Sequence, residues 1–168
     1  MREIVLQALV IGVGATAFMD VFAWLQKRLL NLPSLDYSWV GRWMLCMRKG
    51  QFMHSPIMAT PAQRGETVLG WVAHYAIGIA FVWIMLCAYP QWSESPSLVV
   101  ALFTGFVSVA APFLIMQPAF GLGVAAKNTP KPNMARVRSV VAHLSFGFGI
   151  YLTTVSIKLL IYPYSLWG

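Results

Sequence analysis

Four long apolar runs divide the chain, and each carries one strongly polar side chain: Asp20, His74, Gln117 and His143. The runs cover residues 4–25, 67–89, 98–120 and 139–161. Each is about 20 residues long, which as a helix crosses a hydrocarbon layer of about 30 Å. The alternating in–out pattern of a membrane barrel is lacking. Backbone groups in lipid must be satisfied within their own segment, so all four runs are predicted as helices. The expected fold is an all-α integral membrane protein, a four-helix transmembrane bundle in a single domain, 1–168. Residues 1–17 also pass for a signal peptide, with Arg2, an apolar run and Ala15-Thr16-Ala17 as the cleavage pattern. The apolar character continues through Phe18–Leu25 and ends in Lys27-Arg28, which favours an uncleaved first span.

Composition narrows the function classes. The chain is 58% hydrophobic and 10% charged, with mean hydropathy +0.67, too few charges to cover a soluble domain of 168 residues. A soluble hydrolase finds no support, since no nucleophile motif such as G-x-S-x-G is present. The enzyme question stays open, leaning towards no catalytic activity.

The net charge of +7 would fit nucleic acid, but the basic residues sit where topology wants them. Lys27, Arg28, Arg42, Arg48, Lys49 and Arg64 lie in the first connection, 26–66. Lys127, Lys131, Arg136 and Arg138 lie in the third, 121–138, whereas the second, 90–97, has Glu94 and no basic residue. Connections one and three share a face, so both basic loops are expected in the cytoplasm and both termini outside. The expected partners are therefore the bilayer and its anionic headgroups, not nucleic acid. Cys46 then falls in the cytoplasmic loop and Cys87 near the outer end of the second span, so no disulfide between them is expected.

The second and fourth spans repeat a motif. Gly70-x3-His74-x3-Gly78 sits in V-A-H-Y-A-I-G-I-A, and Ser139-x3-His143-x3-Gly147 sits in V-A-H-L-S-F-G-F-G. Each His has a small residue one turn to either side on the same helix face. Phe18-Met19-Asp20 weakly matches Ile115-Met116-Gln117. The expected unit is a helix–loop–helix repeated in parallel, with His74 facing His143 and Asp20 related to Gln117. At 1.5 Å per residue the four polar groups lie about 8–15 Å inside the cytoplasmic margin, which places them at a shared level.

Ionisable groups in hydrocarbon are costly and usually face a protein interior or a wet cavity. Several readings fit the set Asp20, His74, Gln117 and His143. Small residues beside each His permit close helix packing with hydrogen bonds across it. The set can handle protons or bind a small ligand near the cytoplasmic side. His74, His143 and Asp20 can act as ligands for a divalent cation, or the two His can hold a b-type haem in an electron carrier. An accessory or structural subunit is the remaining class. Four spans are few for a lone transporter, so a homodimer or a place in a membrane complex is expected.

Two further segments bear on the site. Pro112 and Pro118, followed by Gly121 and Gly123, predict an irregular inner half for the third span, and broken helices at membrane depth tend to border cavities. The long first connection carries Tyr37, Trp39, Trp43 and Phe52, aromatic residues suited to the headgroup zone, and Val40–Met47 is predicted as a short interfacial helix. Arg42 and His54 are candidates for a lid over the cytoplasmic mouth. Glu66 is expected to stabilise the first turn of the second span.

Several strings together resemble one family. They are G-V-G-A-T-A-F-M-D (12–20), P-S-L-D-Y-S-W-V-G-R-W (33–43), R-G-E-T-V-L-G-W-V-A-H-Y-A-I-G (64–78), A-P-F-L-I-M-Q-P (111–118) and A-R-V-R-S-V-V-A-H-L-S-F-G-F-G-I-Y-L (135–152). The chain resembles the bacterial membrane proteins grouped as domain of unknown function 2938. The resemblance implies a multi-pass protein of the bacterial inner membrane and supplies no activity.

Overall fold

A computed structural model describes residues 2–32 and 35–161 of the chain. The C-terminal segment 162–168, expected outside, lies beyond the described residues, as do Pro33 and Ser34 of the 33–43 string. The described residues are helical, with five principal helices: α1 (Arg2–Leu30), α2 (Ser38–Met47), α3 (Glu66–Ala88), α4 (Leu98–Ala119) and α5 (Pro132–Ile161). All but α2 are long and apolar enough to cross a membrane. The spans start and stop where the hydropathy predicts, except that α1 and α5 extend by about a turn or more at the ends carrying the basic residues. Helical propensity continues there after hydrophobicity ends, and Lys27 and Arg28 suit the negative C-terminal end of α1.

Burial follows the logic of lipid. Large side chains such as Val68, Val72, Val99 and Phe103 are more than half exposed on the outer faces. Several helix contacts are instead made by small residues. Such contacts gain from close approach of backbones, because lipid chains are as apolar as leucine. α5 packs along both α1 and α4, and α1 also packs along α3, whereas α3 and α4 barely touch. Gly105 of α4 and Gly147 of α5 show why. A Cβ on Gly105 would run into the His143 carbonyl, and one on Gly147 would lie 2.6 Å from the Ala101 carbonyl.

One core cluster, around Ala8, Ile11, Ala15, Val82, Phe146 and Ile150, sits away from the basic loops. Trp92 from the second connection closes it and donates its indole N–H to Thr154 Oγ1 at 3.2 Å. A second cluster, Val40, Ile57, Ala73, Ala119 and Phe120, sits at the opposite end. It joins the first connection to α3 and to the end of α4. His54 N–H donates to the Ala119 carbonyl at 2.8 Å, and Ile57 N–H to the Phe120 carbonyl at 3.0 Å.

α2 is more than a surface helix. Asp36 starts it by accepting the Ser38 N–H at 2.9 Å, and it lies across the first turns of α3. Two glycines allow this crossing: a Cβ on Gly41 would collide with the Glu66 carbonyl, and one on Gly70 with the Tyr37 carbonyl. Arg42 then clamps the pair, donating from Nε to Glu66 Oε2 at 2.8 Å and from Nη2 to Glu66 Oε1 at 2.7 Å. The remaining Nη1 donates to the Thr60 carbonyl at 2.8 Å. Glu66 also accepts the Gln63 N–H at 2.7 Å, so it binds the start of α3 to α2 as well as favouring the helix end.

Candidate functional site

The inner half of the structure encloses a cavity of about 650 Å³ between α1, α3, α4 and α5, flanked by α2. Asp20, His74, Gln117 and His143 all line it. Each helix contributes one stripe at helical spacing. Trp71, His74, Gly78 and Phe81 come from α3, and Arg138, Ser139, Ala142, His143 and Phe146 from α5. Three- and four-residue steps keep these side chains on one face. The volume falls within the range of small-molecule sites, about 300–1,000 Å³.

Asp20 is the hub. His74 Nε2 lies 3.0 Å from its Oδ1, and the Tyr37 hydroxyl donates to the same oxygen at 3.2 Å. With the carboxylate oxygen as the acceptor, Nε2 is the donor of this contact. Tyr37 also stacks on the His74 ring, centroids 4.0 Å apart and planes 23° apart, with Trp71 edge-on at 4.7 Å. Burial, reinforced by the negative charge of Asp20, raises the Tyr37 pKa, so the phenol stays protonated and keeps donating. The second Asp20 oxygen, Oδ2, is enclosed without a partner.

His143 is held differently. Its Nδ1 lies 2.6 Å from Ser108 Oγ, which also lies 2.6 Å from the Gly105 carbonyl. A carbonyl can only accept, so the Ser108 hydrogen goes to Gly105 and His143 Nδ1 donates to Ser108. The residue on α4 that meets His143 is thus Ser108, nine residues or about two and a half turns before Gln117, whose Nε2 instead donates to Ser139 Oγ at 3.4 Å. The helix is irregular between the two. Over Ala111–Met116 the helix opens into a π turn, in which Gln117 N–H bonds back five residues to the Pro112 carbonyl. Pro112 and Pro118 have no N–H to give, so the ladder cannot run regularly here. The irregular inner half expected from the sequence is therefore present, and Ala111, Pro112 and Met116 line the cavity there.

The cation set does not assemble. Among the described residues no three His, Cys, Asp or Glu side chains lie close enough to hold a metal ion, so Asp20, His74 and His143 do not form a ligand shell. His74 Nε2 is taken by Asp20, and Tyr37 covers one face of its ring.

Nor do Arg42 and His54 line the cavity. Arg42 is consumed by Glu66, and His54 is buried under the first connection, Nδ1 at 2.9 Å from Thr60 Oγ1 and Nε2 without a partner. Tyr37, expected in the headgroup zone, is the functional residue that sequence reasoning placed elsewhere. Its signal was the Tyr37/Gly41/Gly70 combination, which is readable only once α2 is known to cross α3.

His54 gives a pH prediction. Burial, and next the Arg42 charge, lower its pKa from the ordinary value near 6.5. The folded state thus prefers the neutral ring, and its contribution is fully present above about pH 6.5. Below that pH the unfolded chain gains a proton first, so stability falls with pH until the lowered folded value is reached. Unfolding midpoints of wild type and His54→Gln, measured from pH 7.5 to 5, are expected to diverge at neutral pH and converge in acid. Parallel curves would refute it.

One family's sequence model, described as protein of unknown function (DUF2938), matches residues 9–157, nearly the whole chain. No curated protein and no solved structure matches it significantly.

Proposed function

We propose, for a chain that belongs to this DUF2938 family and has four helices able to cross a membrane, an inner-membrane protein with a ligand- and proton-handling site open to the cytoplasm. The observation that carries this reading is the cavity itself: the polar residue of every span lines one space, and Asp20 ties His74 and Tyr37 together within it. Structural packing alone would bring such groups into mutual contact and leave no room between them. Here a carboxylate, two imidazoles and an amide border a volume of about 650 Å³. Asp20 and His74 can share or pass a proton, since a carboxylate beside an imidazole is the usual pair for that task, and Tyr37 holds Asp20 in place.

The same reading extends to topology. Both basic connections face the cytoplasm by the positive-inside rule. Two helix pairs, α1 with α3 and α4 with α5, make a four-helix bundle from a parallel repeat. Supporting this, Gly78 meets α1 at Thr16 and Gly147 meets α4 at Ala101 and Leu102, each glycine four residues beyond its His.

Accessibility tests the reading. Ser139→Cys, in a Cys87→Ser background, is expected to react with a charged, membrane-impermeant thiol reagent in inside-out vesicles and to be protected in right-side-out ones. Cys46 is buried and serves as the internal blank. Reaction from the outer face alone would reverse the orientation, and no reaction from either side would remove the open site.

A further inference from the structure

The charges around the cavity are unevenly satisfied. The two carboxylates that line it have donors: Asp36 accepts the Ser38 N–H, and Asp20 accepts from Tyr37 and His74 at Oδ1, its Oδ2 having no partner among the described residues. Both cations that line it, Lys27 and Arg138, lack an ion-pair partner among the described residues. Arg138 goes further, because its Nε is enclosed and has no hydrogen-bond partner. Positive-inside topology accounts for a solvated Lys27 at the end of α1. It does not account for an enclosed guanidinium nitrogen, which is costly to leave unpaired.

The two cations stand at the end of the cavity nearest the basic connections. Trp24 stands one turn from Lys27 and Trp71 one turn on the basic-connection side of His74, and beyond Asp20, His74 and His143 the walls are apolar: Ile77, Phe81 and Phe146. From Arg138 to Phe146 is eight residues, about 12 Å along α5. The site thus has cations at the end nearest the basic connections, the polar residues Asp20, His74 and His143 beneath them, and an apolar end beyond. A guanidinium matches the two oxygens of a carboxylate or phosphate, which an ammonium does only as a point charge.

We infer that the cavity takes an amphipathic anion, its carboxylate or phosphate head on Arg138 and Lys27 and its hydrocarbon body among the aromatic side chains. This rests on the open-site reading above and supplies its ligand class. The head chemistry is shared by a free fatty acid and by an anionic phospholipid.

The test uses full-length protein in phosphatidylcholine nanodiscs and follows tryptophan quenching by bromine. The probes are 9,10-dibromostearate, the matched neutral 9,10-dibromostearyl alcohol, and a dibrominated phosphatidylglycerol. Saturable quenching by an anionic probe at about tenfold lower concentration than by the alcohol is expected. Arg138→Gln should abolish that preference, Arg138→Lys should restore part of it, and Lys27→Gln should weaken it. Preference for dibromostearate identifies a free carboxylate as the head, and preference for the phosphatidylglycerol identifies a lipid phosphate. Equal quenching by the alcohol and both anions, or a preference that survives Arg138→Gln, overturns the inference. Thiol labelling at Ser139→Cys reports separately on the open site, so the two failures can be told apart.

Discussion

Glu66→Ala is expected to destabilise the protein by about 3–5 kcal/mol, the range for removing one partner of a buried ion pair. Arg42 and Glu66 are both almost fully buried, and their paired contacts are 2.7 and 2.8 Å long. Removing the carboxylate leaves a guanidinium enclosed with only the Thr60 and Ile57 carbonyls for company. It also frees the start of α3 from the Gln63 N–H. The pair's net worth is a different quantity from this loss. Replacing both partners by apolar residues of similar volume, Arg42→Met with Glu66→Leu, should regain most of the stability because no charge is then stranded. Reversible unfolding in mixed micelles measures both. A double variant as unstable as the single one would show that the charge is not the cause.

Gly70→Ala is expected to dismantle the site. In an exposed helix interior the change would stabilise by up to about 1 kcal/mol. Here the new Cβ would fall on the Tyr37 carbonyl, a backbone atom that cannot swing aside. Overpacking of this kind costs about 1–3 kcal/mol, so the sign reverses. The relief route is to lift α2 from α3, which takes Tyr37 away from Asp20 and off the His74 ring. Near-ultraviolet circular dichroism should therefore lose the signal of the Tyr37–Trp71–His74 group along with the fall in stability. Tyr37→Phe provides the comparison. It keeps the stack and deletes only the hydroxyl, so it should change the signal little while weakening any proton-linked property of Asp20. A Gly70→Ala protein as stable as wild type with an unchanged aromatic spectrum would contradict the crossing.

These two predictions also mark where sequence reading stopped. The spans, their boundaries within about two turns, and the break around Pro112 were legible because hydropathy and missing N–H donors act locally. The four polar residues were legible as a set because each interrupts an apolar run. Their partners were not. Asp20 looks like a relative of Gln117 along the chain, yet Asp20 meets His74 whereas Gln117 meets Ser139, and Ser108 meets His143. Arg42 and His54 read as a lid because a loop of that length has no period to orient them. Their burial depends on Glu66 and on the Ala119–Phe120 carbonyls, which come from distant parts of the chain.

By itself the sequence determined four helices long and apolar enough to cross a membrane, since about 20 apolar residues in a row leave the backbone no other way to satisfy its polar groups in lipid. It also determined which residues are costly enough there to need an explanation. Only the tertiary structure decided that these residues border one cavity, that Tyr37 joins them, and that Arg138 lines it with no ion-pair partner among the described residues. Those facts depend on how closely helices approach, and closeness is set by pairs such as Gly41 with Gly70 and Gly105 with Gly147. Each half of such a pair, read alone, is only a small residue in a helix.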